Sequence, residues 1–139
     1  MRLSPIMLGP DEGRSYAMPS MRAVFKADDD ETGDRYSVSE WWVEPHSHGP
    51  GAHSHEANDE IFYVTEGTAS VLVGDTWHDA PKGSFLLIPA GTIHDFANRT
   101  GETACLFNVF IPGGFEKNMP SIVKWFEDNP GSAGDHGAA

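Results

Sequence analysis

Short stretches of β-branched and aromatic residues recur along the chain, with turn residues between them. The stretches are MRAVFKA, RYSVSEWWVE, EIFYVTE, ASVLVG, SFLLIP, TIHDFAN and ACLFNVFI. The connecting pieces carry turn chemistry, as in DDDETGD after Ala27 and RTGE from Arg99. Short strands at such regular spacing are typical of an all-β sandwich or barrel. The pattern therefore predicts an all-β fold whose strands are joined mostly by hairpins and tight corners.

One segment near the C-terminus has the periodicity of a helix. Ile122, Val123 and Phe126 fall at helical spacing, with a proline near the start of the segment and a glycine beyond its end. We expect a helix over about 119–129 that packs its apolar stripe on the outside of the barrel or on a partner. The small polar residues at 131–139 predict a mobile tail.

The length and charge of the chain limit what it can bind. A chain of 139 residues suits one domain with a single core, so residues 1–139 are expected to form one unit. The hydrophobic fraction of 39% indicates a packed globule. The formal net charge is −12, and the nine Lys and Arg form no basic cluster, which argues against nucleic acid as a ligand.

The lengths of the apolar runs and the single cysteine predict where in the cell the protein is found. The run Phe85 to Ile88 is far shorter than the roughly 18 residues that a membrane-spanning helix needs. The opening residues MRLSPIMLGP lack the apolar core of a signal peptide. Cys105 stands alone, so no disulfide can form within the chain, and a reducing cytoplasm is expected.

Histidines are concentrated in one stretch, HSHGPGAHSHEANDE, which runs from His46 to Glu60 and repeats His-Ser-His. His53 and His55 are one residue apart, so on a strand both rings would leave the same face and could reach one ion. Glu60 opens the next predicted strand, and a hairpin could bring its carboxylate beside the two rings. His94 follows a later turn, in GSFLLIPAGTIHDFAN.

Two spaced patterns in this region resemble the motifs of the cupin superfamily. The first, His-x-His, four residues, Glu, six residues, Gly, stands at His53, His55, Glu60 and Gly67. The second, Gly, five residues, Pro-x-Gly, two residues, His, three residues, Asn, stands at Gly83, Pro89, Gly91, His94 and Asn98. The chain departs from the first motif where the family usually has glycine and this sequence has Ser47. With flanking strands, the resemblance extends over about 21–112.

The resemblance implies a double-stranded β-helix, the jelly-roll barrel of cupins, followed by the short C-terminal helix. It also implies a divalent metal held by His53, His55, Glu60 and His94, with Glu60 as the candidate catalytic group. Three imidazoles and a carboxylate suit Fe, Mn, Ni, Co, Cu or Zn, and the absence of thiolate ligands argues against a structural zinc site.

Two further histidines precede the first motif. His46 and His48 are expected to be solvated loop residues near the barrel mouth, with a role beside the metal as the alternative.

Alternation along the strands extends the site to its walls. It places Phe62 and Val64 beyond the carboxylate and Phe96 beyond the last histidine, as pocket walls or as ordinary core. Asn108 interrupts an apolar strand, and its amide needs the backbone or a ligand as a partner.

Fold alone does not name a reaction, because cupins catalyse many. The piece PGGFE from Pro112 is similar to one often found in the quercetinase-like group, which favours a dioxygenase acting on a small oxygenated substrate such as a flavonol. The alternatives are a polyketide cyclase or isomerase that uses the metal as a Lewis acid, and a small-molecule-binding cupin without catalysis. We expect a homodimer formed through edge strands.

Overall fold

The structure is a computed structural model that describes residues 3–130. This part of the chain forms nine strands, two α-helices and one 3-10 turn. The strands are β1 (Arg14–Met18), β2 (Met21–Ala27), β3 (Ser37–Val43), β4 (Asp59–Glu66), β5 (Thr68–Val73), β6 (Thr76–Pro81), β7 (Phe85–Ile88), β8 (His94–Ala97) and β9 (Ala104–Ile111). The helices are α1 (Asp29–Thr32) and α2 (Met119–Asp128), and the 3-10 turn is Glu116–Asn118.

The strands form two antiparallel sheets, so the all-β prediction is confirmed. The larger sheet has the order β1-β2-β3-β9-β4-β7, and the smaller has the order β6-β5-β8. Every second residue of β3 is buried, because successive side chains point to opposite faces of a sheet. The inward side chains form a core that includes Phe25, Trp41, Phe62, Val64, Val71 and Leu106. Burying each large apolar side chain contributes about 1.5–3 kcal/mol.

Two of the strands, β1 and β6, lie outside the stretches that the hydrophobic pattern predicts. Both are edge strands, and most of their residues are exposed. The backbone hydrogen bonds to one neighbour hold them, so their sequences carry little apolar alternation. The DDDETGD connection also differs from expectation, because its first residues form the single helical turn α1.

The short C-terminal helix is confirmed, but its packing differs from the prediction. Met119 and Phe126 are almost fully buried in the barrel core. Ile122 and Trp125 line the same cavity as the predicted metal ligands, so the helix forms a wall of that cavity. The segment 131–139, predicted to be a mobile tail, lies outside the described residues. No helix within residues 3–130 is long and apolar enough to span a membrane.

Candidate metal centre

The four predicted ligands reach one point from three parts of the fold. Glu60 lies near the start of β4, and His94 is the first residue of β8. His53 and His55 lie in an irregular segment rather than on the strand that sequence reasoning suggested. An isolated bridge joins His53 to His94 through two backbone hydrogen bonds, of 3.0 and 2.8 Å. The backbone amide of Gly91 donates to the His55 carbonyl at 2.9 Å. These bonds hold the irregular segment against the opposite sheet.

The potential ligand atoms of His53, His55, Glu60 and His94 all lie within 4.8 Å of one another. Glu60 Oε2 is 2.6 Å from His94 Nε2 and 3.4 Å from His55 Nε2. Glu60 and His94 are buried, and the two other histidines are half-buried. Donors bound to a divalent metal at about 2.0–2.2 Å are separated from one another by roughly 3–4 Å. The cluster therefore approaches the size of one coordination sphere, and a small movement of the side chains would complete it.

In two of the histidines, the hydrogen bond made by Nδ1 determines that the Nε2 lone pair faces the centre of the cluster. His53 Nδ1 is 2.7 Å from the carbonyl oxygen of Gly51, and His94 Nδ1 is 2.9 Å from that of Thr92. A carbonyl oxygen only accepts, so each Nδ1 donates its proton and Nε2 keeps a lone pair. This is the tautomer that a metal ligand requires.

The inner atoms of the cluster lack hydrogen-bond partners. His55 Nε2, Glu60 Oε2 and His94 Nε2 are buried, and none is paired in a normal hydrogen bond within residues 3–130. With Nδ1 protonated, the 2.6 Å approach of His94 Nε2 to Glu60 Oε2 brings two acceptors together unless a proton or a cation lies between them. These residues fit a divalent ion, and the cluster is able to bind one.

The pKa values of two histidines in the cluster shift in opposite directions. Burial lowers the pKa of His55, and the neighbouring His53 and His94 lower it further against the attraction of Glu60. Burial also opposes protonation of His94, but the Glu60 carboxylate and the Thr92 carbonyl outweigh it and raise the pKa of His94. A divalent ion would compete with a proton for the Nε2 lone pair of His94.

The structure shows which partners the Asn108 amide has within its apolar strand. Its Nδ2 donates to Glu60 Oε1 at 3.1 Å and to the backbone carbonyl of Ile61 at 3.3 Å. Asn108 lies on β9 directly opposite Phe62 on β4, so the amide reaches the carboxylate from the neighbouring strand. One carboxylate oxygen is thereby held by the protein, and Oε2 is left facing the histidines.

A cavity of about 400 Å³ extends from this cluster to helix α2. Its walls are mainly aromatic, formed by Trp41, Phe62, Phe96, Phe115, Trp125 and Phe126. Asn108 also lines it, whereas Val64 is fully buried in the core and is not one of the lining residues. Among the described residues, Glu60 is the only carboxylate in the lining, and no Lys or Arg is present there.

Residues 39–110 match the family model described as a cupin domain. The chain belongs to the cupin family. No curated protein matches it by sequence.

Among solved structures, this cupin is similar to KdgF from Halomonas sp., with a TM-score of 0.70 and 16% identity over 82% of this chain and 99% of that chain. It is also similar to an RmlC-like cupin from Shewanella frigidimarina, with a TM-score of 0.69 and 15% identity over 84% and 99% of the two chains. A third structure is a predicted oxalate decarboxylase from Thermotoga maritima, with a TM-score of 0.70 and 14% identity over 77% and 99%. At these identities the likeness establishes the fold alone.

The two earlier histidines of this cupin lie outside the cluster. His46 is exposed, as expected for a loop residue. His48 is instead 2% exposed, which corrects the expectation that it is solvated. Its ring stacks on Phe126, and its Nε2 lies 2.9 Å from the Asn129 carbonyl oxygen. His48 therefore supports helix α2, a role that required knowing where the helix packs.

The departure from the first cupin motif has a structural explanation. Ser47 pairs with Asn98 through two backbone hydrogen bonds. Two residues later, a Cβ atom on Gly49 would lie 1.8 Å from the carbonyl oxygen of Phe96. The close approach that requires glycine thus occurs at position 49, and the loop before the histidines is held tightly against β8.

Proposed function

We propose that this cupin is a metal-dependent enzyme acting on a small oxygenated organic substrate, and that its reaction is a quercetinase-like dioxygenation. The observation that carries the proposal is the cluster of three histidines and Glu60 at the end of an aromatic cavity. A divalent ion with one carboxylate ligand keeps a net charge of about +1, which attracts a single enolate or phenolate. A ring compound would fit the remaining walls.

Different residues would have different roles in such a reaction. His53, His55, Glu60 and His94 would hold the ion, which when bound supplies Lewis acidity and open coordination positions for the substrate and dioxygen. Glu60 would shift from ligand to base and accept the proton of the substrate hydroxyl at Oε2, while Asn108 holds its other oxygen. The aromatic walls exclude water and orient the ring. Both atoms of dioxygen enter the product, so no added reductant is required.

The test combines metal analysis of freshly purified protein with an oxygen-electrode screen of flavonols and related compounds. Protein containing a redox-active metal is expected to consume dioxygen, and Glu60→Gln is expected to abolish the uptake. Glu66→Gln, at the exposed end of the same strand, is the matched control and should retain it. Uptake that persists in Glu60→Gln would contradict the proposed role of the carboxylate.

A second candidate rests on the donor set, because three nitrogens and one oxygen also suit zinc, which has no redox chemistry. A cyclase or isomerase would turn over without dioxygen when zinc is bound. A third candidate, a binding protein without catalysis, would release its ligand chemically unchanged. Anaerobic product analysis of the zinc-loaded protein distinguishes these candidates from the dioxygenase.

We also propose that two copies of the chain pair through the outer face around the edge strand β7. Phe85 and Leu87 on β7 are 62% and 55% exposed, and they lie opposite Tyr63 and Ile61 on β4. This uncharged apolar surface is where two chains of net charge −12 would repel each other least. Analytical ultracentrifugation should give a dimer for the wild type and a monomer for Leu87→Glu, and a wild-type monomer would reject the pairing. We also propose a cytoplasmic location, because the single cysteine cannot form a disulfide within the chain and therefore suits a reducing compartment.

A further inference from the structure

Helix α2 contributes part of the wall of the cavity beside the metal cluster. Met119 and Phe126 anchor the helix in the barrel core, where they are 0% and 1% exposed. Ile122 and Trp125 lie between these anchors in sequence and line the cavity. Trp125 is also 37% exposed, so it lies where the cavity meets solvent. A ligand that fills the cavity from the metal cluster outward therefore contacts this helix.

Both ends of the helix are held by buried polar groups. Before the helix, the buried Asp28 carboxylate accepts hydrogen bonds from the backbone amides of Gly114 and Glu116, at 2.7 and 2.6 Å. After the helix, the buried His48 ring contacts the Asn129 carbonyl and stacks on Phe126. The inner face of α2 is thus a preformed surface, and preformed surfaces select ligands by shape at little cost in ordering.

The polar groups on this side of the cavity are uncharged. Asn118 and Ser121 line the cavity from exposed positions at its rim, and neither side chain forms a hydrogen bond with another residue among those described. Their donors and acceptors are available to a ligand. A ligand with a second negative charge would find no Lys or Arg in the lining formed by the described residues, and an unpaired charge in an apolar site is strongly disfavoured.

We infer that helix α2 is the specificity element of the cavity. Its inner face selects a flat aromatic ligand with one negative charge, which the metal receives, and Asn118 and Ser121 hydrogen-bond neutral polar substituents on the ring. The inference rests on the proposed function in one respect, that the ligand binds at the metal. It excludes dicarboxylates and other multiply charged small acids as preferred ligands.

The test measures binding to zinc-loaded protein by isothermal titration calorimetry, so that turnover plays no part. The probe is 3-hydroxyflavone, and its 4′-carboxylate derivative adds a second charge to the same ring system. We expect Trp125→Ala and Ile122→Ala to weaken binding of 3-hydroxyflavone by about tenfold or more, because each truncation removes apolar surface that lines the cavity. Trp125→Phe should restore most of the affinity. Val123→Ala is the matched control, because Val123 packs on the core but does not line the cavity.

A separate variant tests the preference for a ligand with a single negative charge. Wild-type protein should bind 3-hydroxyflavone about tenfold or more tightly than the 4′-carboxylate, and Ser121→Arg should reduce or reverse that ratio by pairing the added charge.

Equal losses in Val123→Ala and Trp125→Ala would overturn the role of the helix. Failure of zinc-loaded protein to bind 3-hydroxyflavone would overturn the ligand class. Binding as expected without any dioxygen uptake would instead leave the inference intact and refute the dioxygenase.

Discussion

Replacing Asn108 by leucine removes the amide that holds Glu60 while keeping a similar side-chain volume. In the structure, Nδ2 donates to Glu60 Oε1 at 3.1 Å and to the Ile61 carbonyl at 3.3 Å. Asn108 is 3% exposed, so water cannot easily replace the amide. Glu60 is then free to rotate away from the histidines, and the ion loses a ligand that is held in place before binding.

The expected loss of metal affinity can be taken from other proteins in which a hydrogen bond to a metal-binding side chain is removed. Loss of a hydrogen bond to a metal-binding side chain weakens metal affinity by about 10–100-fold, which corresponds to about 1.4–2.7 kcal/mol. The Ile61 carbonyl remains in the strand ladder, so the fold itself should survive. We therefore expect a large loss of metal affinity with a folded protein.

The assay is zinc titration in competition with a chelating indicator at fixed pH, with circular dichroism to verify folding. Asn58→Leu is the matched control, because Asn58 donates a comparable 2.9 Å hydrogen bond to the Pro112 carbonyl and does not line the cavity. Asn108→Leu protein with zinc affinity within about twofold of the wild type would refute the argument that the amide positions the carboxylate.

Three further predictions concern the structure around the site. Gly49→Ala should destabilise the protein by about 3 kcal/mol or more, because the new Cβ would lie 1.8 Å from a backbone oxygen of β8, whereas Gly101→Ala should cost less than about 1 kcal/mol. Asn98→Ala should cost about 2–4 kcal/mol in urea unfolding, because its buried side chain satisfies two backbone carbonyls and the Thr100 hydroxyl and amide, whereas Asn58→Ala should cost about 1 kcal/mol or less. Burial raises the pKa of Cys105 to about 11, so at pH 8 only about a thousandth of the thiol is ionised and it should react with a disulfide reagent only after unfolding.

Each of these predictions has a clear contrary result. A Gly49→Ala protein as stable as Gly101→Ala would show that the loop can move away from β8. Equal costs for Asn98→Ala and Asn58→Ala would show that the motif asparagine does not tie its turn. Fast modification of native Cys105 at pH 8 would show that the strand opens readily.

The central strands were predictable because each has one buried face. Strands with one face in the core are rich in β-branched and aromatic residues, and this enrichment is visible in the sequences of β3, β4 and β9. β1 and β6 were missed because most of their residues are exposed, so neither carries a run of β-branched and aromatic residues. The ligand set came from the resemblance of the two spaced motifs to those of cupins, and the four side chains lie together in the structure.

Contacts between residues far apart in the chain could not be predicted from local sequence patterns. The contact of His48 with Asn129 joins residues 81 positions apart, and no local pattern marks it. The position of helix α2 depends on Asp28 and His48, which are distant in sequence from the helix and from each other. Alternation also grouped Val64 with Phe62, although the cavity ends before Val64 and core packing begins. Side-chain direction is local, whereas the extent of a cavity depends on the whole fold.

Cobalt(II) binding by equilibrium dialysis and visible absorption tests most directly whether the four side chains act as one metal site. The wild type is expected to bind one ion per chain, and each of His53→Ala, His55→Ala, Glu60→Ala and His94→Ala should weaken binding by about 100-fold or more and change the spectrum. His46→Ala should leave both unchanged, because His46 is exposed and lies outside the cluster. Wild-type protein that binds no cobalt, or binding that survives loss of these ligands as well as it survives His46→Ala, would contradict the account.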